Sequence, residues 1–163
     1  MAGTCRKFAI GHGKDDTSMA RRLVEMVLLA EALINAGIIP GIKVDTGARD
    51  RAGQPGEKIT EGLDGLRDRL TKYAQRGARF VPWCAGFTLG ENAPGRACIE
   101  ANAQTLARYA ALCQEAGSVP IVEPEVLMGD SHTLAQCFEV TGEVLHTVFD
   151  PLYTQQVMRE GLP

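Results

Sequence analysis

Three stretches of this chain, residues 38–45, 79–89 and 118–127, are apolar along most of their length instead of alternating between apolar and polar positions. That pattern predicts strands covered on both faces, as in a parallel sheet. Each stretch is entered from a helical pattern that stops at a glycine, in Asn35-Ala36-Gly37, Gln75-Arg76-Gly77 and Glu115-Ala116-Gly117. Glycine takes the left-handed conformation that ends a helix at no steric cost.

Helical spacing fills the intervals. Residues 59–74 carry Leu63, Leu66, Leu70 and Tyr73 three and four positions apart, the spacing of one buried stripe. Residues 97–116 set Ile99, Ala103, Leu106, Ala110 and Cys113 on one side, and residues 132–158 carry Leu134, Phe138, Val144, Leu145, Val148 and Phe149. Pro151 has no donor for the bond to the residue four back, so it predicts two helices meeting near Asp150. Upstream, residues 6–10 predict a short strand and 18–36 a further helix.

The strand starts lie about 40 residues apart, the length of a strand and one returning helix, and parallel strands need such right-handed crossovers. Strand alternating with helix defines the α/β class. Three to four parallel strand–helix units fit in the 163 residues, whereas a closed eight-stranded barrel typically takes about 250. The expected architecture is a partial (β/α)8, TIM-barrel-like half-barrel, or an open sheet of the same units.

Composition narrows the partners more than the fold. The formal net charge is −3, so no strongly basic surface argues for nucleic acid. The cations Arg67, Arg69, Lys72, Arg76 and Arg79 are interleaved with acids, the pattern of a solvated helix face. Five cysteines lie far apart, without a metal-binding spacing or a secretory signal, which favours a reducing compartment. The apolar stretch 23–33 is broken by Glu25 and Glu31 and is too short to span a bilayer. A soluble, cytoplasmic protein with no membrane partner is the expectation.

In parallel α/β architectures ligands bind beyond the carboxyl ends of the strands. The first stretch ends in Lys43-Val44-Asp45, whose charged groups are two apart and so point the same way. They read either as an anion anchor and proton donor or as a plain salt bridge. The third ends in Glu123-Pro124-Glu125, two carboxylates on one face. Such closeness raises at least one pKa and suits acid–base work, although pairing with a lysine would serve structure equally. Glu123 follows an unbroken apolar run and is the better proton carrier. The middle strand holds Pro82, a residue normally confined to edges and bulges, and Cys84, which reads as a small buried hydrophobe before it reads as a nucleophile. Gly11-His12-Gly13-Lys14 lacks the spacing of a phosphate-binding loop, and no histidine pair has ligand spacing, so no metal or cofactor is expected.

Four motifs in order resemble the class I fructose-bisphosphate aldolases: Gly37 to Gly47 with Lys43-Val44-Asp45 at its end, Gly62-Leu63-Asp64-Gly65-Leu66, Leu106-Ala107-Arg108-Tyr109-Ala110, and Val119-Pro120-Ile121-Val122-Glu123-Pro124-Glu125. The likeness covers some three-quarters of the chain. It divides the chain into an aldolase-like half-barrel, 36–163, and a segment of unassigned origin, 1–35. The resemblance implies an eight-stranded barrel that cleaves fructose 1,6-bisphosphate into two triose phosphates through a lysine Schiff base, without a metal. It implies that Lys43 contacts substrate or phosphate with Asp45 beside it. It also implies that Glu123 handles protons around the Schiff base, with Glu125 as its neighbour.

The departures from the family carry their own expectation. Pro82 and Cys84 flank Trp83 where the family has a lysine and an arginine, the acidic motif expected near the barrel's start is absent, and the Schiff-base strand of the family lies past Pro163. A Schiff-base amine needs a cation-rich, desolvated pocket to lower its pKa. The implied outcome is an aldolase-type lyase impaired or inactive as this chain alone. The reading of another class is a non-catalytic half-barrel, truncated or engineered, whose open apolar edges call for self-association or a complementing chain. A third reading is a different enzyme that uses Cys84 as nucleophile.

Overall fold

The computed structural model describes residues 28–90, 93–129 and 132–158. Residues 28–35 are helical (α1) and agree with the end of the helix predicted over 18–36. The predicted strand at 6–10 lies outside the described residues, as does the glycine-rich stretch 11–14. There follow strands β1 (Gly47–Arg51) and β2 (Gln54–Glu61), helix α2 (Leu66–Gln75), strand β3 (Phe80–Phe87), helix α3 (Arg96–Glu115), strand β4 (Val119–Val126) and helix α4 (Leu134–Thr154). The last five form an alternating series, with β3 and β4 parallel and in unbroken register from Phe80↔Val119 to Phe87↔Val126. This is the predicted α/β class with parallel strand–helix units, and the described strands do not close a barrel.

Residues 38–45 depart from the strand expected there. They run beside β3 but form one isolated parallel bridge, Gly41↔Phe80. Pro82 supplies a reason. The Arg79 carbonyl accepts from Val119 of β4 and the Phe87 carbonyl from Leu127 just after it, whereas the Phe80 carbonyl accepts from Ile42 on the opposite edge. Peptide groups alternate along a strand, so Pro82 turns its nitrogen to the Ile42 edge, where it has no hydrogen to give. The ladder ends after one bridge. Gly41 is fitted to that crossing, because a Cβ there would stand 2.2 Å from the Phe80 ring.

The antiparallel hairpin of β1 and β2 was not expected, and it takes the first residues of the helix predicted over 59–74. Its strands are mostly exposed, and the two residues that β2 buries are polar, Glu57 and Thr60. No apolar alternation marks them. Gly62 and Gly65, both at positive φ, then turn the chain, and the helix begins only at Leu66.

The strands predicted as covered on both faces are covered on one. In β3, Val81, Trp83, Ala85 and Phe87 are buried while Phe80, Pro82, Cys84 and Gly86 are half-exposed. The buried face packs with Ile99, Ala103, Leu106 and Ala110 of α3, and Val144, Val148 and Leu152 of α4 complete the core. Tyr109 on α3 ties the two strands together: its ring lies 5.1 Å from that of Trp83, and its hydroxyl hydrogen-bonds the carbonyls of Val81 and Ile121.

Pro151 does not divide the last helix. α4 is continuous from Leu134 to Thr154. Pro151 lies in its last turn and is buried, so the one backbone bond lost at its nitrogen is offset by packing of its ring. The helix begins in a capping box between Thr133 and Gln136. Of the apolar residues predicted on it, Val144 and Val148 are buried, but Leu134, Phe138, Leu145 and Phe149 are exposed.

Candidate active site

The face of β3 and β4 turned away from the helices carries the ionisable groups. Parallel register sets Cys84 beside Glu123 and Gly86 beside Glu125. Val44 is buried in the core on the helix side, so its neighbours Lys43 and Asp45 turn to the open side. Lys43 Nζ lies 3.3 Å from Asp45 Oδ2, with the lysine side chain 47% exposed and the aspartate 10%. The other oxygen, Oδ1, accepts from the Gly47 amide at 3.2 Å. Cys84 Sγ donates to Glu125 Oε2 at 3.3 Å. All four predicted site residues therefore share one face, together with Cys84.

Electrostatics links the two sides of this face. Burial pulls the Lys43 ammonium toward neutrality, but Asp45, with further pull from Cys84 and Glu123, more than offsets it. The net effect holds the lysine above its ordinary pKa of 10.5, so it is an ammonium at neutral pH. Burial, then the hydrogen bond and charge of Glu125, push the Cys84 thiol up to about 12. A reactive cysteine needs a depressed pKa. The geometry thus gives a charged anchor beside carboxylates, and a thiol that is neutral at neutral pH.

Three residues that support this face were not legible as such. Arg69 on α2 donates to the carbonyl of Val44 at 2.9 Å and to that of Gly62. Thr60 on β2 donates its hydroxyl to the Cys84 carbonyl at 2.8 Å. Asn102 on α3, 1% exposed, accepts from the Thr60 amide at 3.2 Å and donates to the Lys58 carbonyl at 2.9 Å. Only a polar residue inside the apolar stripe of α3 could have flagged Asn102, and nothing in the sequence marks the other two. Among the described residues no three His, Cys, Asp or Glu side chains are grouped as metal ligands would be. No described helix is long and apolar enough to cross a membrane.

Parallel strand–helix units with their polar groups on the open face define an α/β protein. The model of one family, fructose-bisphosphate aldolase class-I, described as glycolytic, matches residues 16–162. The chain belongs to the class I fructose-bisphosphate aldolases. It is 53% identical over 146 residues to a "Probable fructose-bisphosphate aldolase class 1" of Xanthomonas axonopodis pv. citri, covering 90% of this chain and 44% of that protein. It is 49% identical over 131 residues to "Fructose-bisphosphate aldolase 6, cytosolic" of Arabidopsis thaliana, with 80% and 37% covered. Among solved structures it is similar to fructose-bisphosphate aldolase of Plasmodium falciparum, crystallised with TRAP and a small-molecule inhibitor. That match has a TM-score of 0.77 and 42% identity, and it covers 80% of this chain and 38% of that one. The chain thus spans less than half the length of these relatives. The family match begins at residue 16, upstream of Gly37, where the motifs quoted above begin.

Proposed function

We propose that this chain carries one side of an aldolase active site that takes fructose 1,6-bisphosphate or a triose phosphate. The Lys43 ammonium is the anchor for an anionic oxygen of the substrate, and Asp45 holds it in place. Glu123 moves protons at the reacting carbons, and Glu125 adjoins it. The observation that carries this reading is the gathering of Lys43, Asp45, Glu123 and Glu125 on one open face, with Lys43 kept charged by the carboxylates around it. The unit that holds the site is 36–163, and the compartment is the cytoplasm.

Cleavage proceeds in the family's manner, through a lysine Schiff base. Lys43 is a poor candidate for that amine, because an ammonium held above its ordinary pKa is no nucleophile at neutral pH. Pro82 and Cys84 add no positive charge to the face. The chain alone therefore binds sugar phosphate and cleaves it slowly or not at all. The test is titration of the protein with fructose 1,6-bisphosphate by calorimetry, with borohydride trapping in parallel. Saturable binding that Lys43→Ala weakens at least tenfold supports the assignment; undiminished binding by Lys43→Ala retires it. A lysine trapped at saturating substrate would overturn the claim of impaired cleavage.

A second reading rests on a separate observation. Leu134, Phe138, Leu145, Phe149 and Tyr153 form an exposed apolar stripe along α4. β4, among the described strands, pairs only on its β3 side. A non-catalytic half-barrel that self-associates, or that receives a complementing chain, would cover both.

A further inference from the structure

We infer that Arg69 is a positioning residue for the Lys43–Asp45 pair. The inference rests on reading that pair as part of the site, although its test does not depend on any sugar phosphate. Residues 42–46 have little sheet to hold them. The Ile42 amide bonds to the Phe80 carbonyl at 3.1 Å, and the Thr46 amide to the Glu61 carbonyl at 2.9 Å. Between these points the Val44 carbonyl is held by the Arg69 guanidinium, through Nη1 at 2.9 Å. The other nitrogen, Nη2, donates to the Gly62 carbonyl and, at 3.5 Å, to that of Asp64.

A planar guanidinium can bridge two carbonyls of separate segments, which a single ammonium cannot do with the same geometry. One side chain thus joins the peptide between Lys43 and Asp45 to the turn after β2. That turn is already in close contact: a Cβ at Gly62 would stand 3.0 Å from Asp45 Cα and from the Thr46 nitrogen. The Val44 side chain, 2% exposed, fixes the same residue from the core side. With both sides held, Lys43 and Asp45 leave the backbone on one face and meet at 3.3 Å. Without the guanidinium the Val44 peptide is free to rotate, and the pair opens.

The sign of a titration shift separates positioning from simple charge. Removing a nearby cation would raise the pKa of Lys43, whereas loss of Asp45 from its side lowers it. The experiment follows the Lys43 signal of the carbon-13 dimethylated protein against pH, assigned through Lys43→Arg. Asp45→Asn sets the full downward shift. Arg69→Lys and Arg69→Met are expected to lower the midpoint by at least half as much while thermal unfolding stays cooperative. A midpoint unchanged or raised in either folded variant overturns the inference. If Arg69→Met does not fold, Arg69→Lys decides, since it keeps the charge and most of the stem. Calorimetry with fructose 1,6-bisphosphate on the unaltered protein runs alongside. Failure there removes the aldolase reading and leaves the Lys43 comparison standing.

Discussion

Lys43 and Cys84 share the open face and both feel negative charge there, Lys43 chiefly that of Asp45 and Cys84 that of Glu125, with different consequences. For Lys43 the folded pKa lies above the ordinary value, so the stabilisation from Asp45 is complete below about 10.5 and is lost as pH rises through the folded value. The difference in unfolding free energy between the unaltered protein and Asp45→Asn should therefore shrink as a urea titration is repeated from pH 8 to above pH 11. A constant difference would mean that the two groups do not interact as an ion pair. For Cys84 burial, followed by the hydrogen bond and charge of Glu125, suppresses ionisation. Glu125→Gln removes a charged acceptor and should lower the thiol's pKa, so its alkylation by iodoacetamide at pH 9 should accelerate several-fold. An unchanged rate would assign the shift to burial alone. The two-residue spacing in Lys43-Val44-Asp45 and Glu123-Pro124-Glu125 was readable, because pleat geometry places such pairs on one side whatever surrounds them. Arg69 was not, because its partners are backbone carbonyls, which leave no trace in side-chain identity.

At the scale of elements, α2 and α3 bury the apolar stripes their periodicity predicts, α4 buries only part of its own, and the hairpin before them shows no such stripe. The β1–β2 hairpin is joined to the rest through polar contacts. Asn102 bonds to Lys58 and Thr60 of β2, Thr60 bonds to Cys84, and Glu57 accepts from the Gly95 amide at the start of α3 while pairing with Arg51 at 3.6 Å. A buried donor or acceptor left without a partner costs about 1–3 kcal/mol. Asn102→Ala strands at least one such group and should lower stability by about 2–3 kcal/mol in urea unfolding. A loss below about 0.5 kcal/mol would show that the hairpin is not held there. Thr133→Ala removes the capping box of α4 and should cost about 1 kcal/mol by the same measurement. Hydrophobic pattern detects an element by the apolar face it buries. The hairpin buries Glu57 and Thr60, so that signal was blank, and the helix predicted from residue 59 borrowed three residues from β2.

For the whole molecule, the apolar stripe on α4 is the feature with the largest physical consequence. Leu134, Phe138 and Tyr153 are 88%, 80% and 74% exposed. Sedimentation velocity over a range of concentrations should show association beyond the monomer, and Phe138→Glu with Phe149→Glu should reduce it. A monomer at every concentration would remove the self-association reading. Order along the chain settled the class of architecture: apolar strands and periodic helices alternate, glycines stop the helices, and crossovers of this length make the strands parallel. The family was legible too, because its motifs are local runs of residues. The tertiary structure alone decided which face of β3 is covered, how far residues 38–45 pair, whether Pro151 breaks a helix, and which apolar residues of α4 are buried. Each of those depends on what lies across space from the residue. A sequence states which groups a segment presents, but whether a hydrogen bond is made or a surface is dry is a property of two segments together.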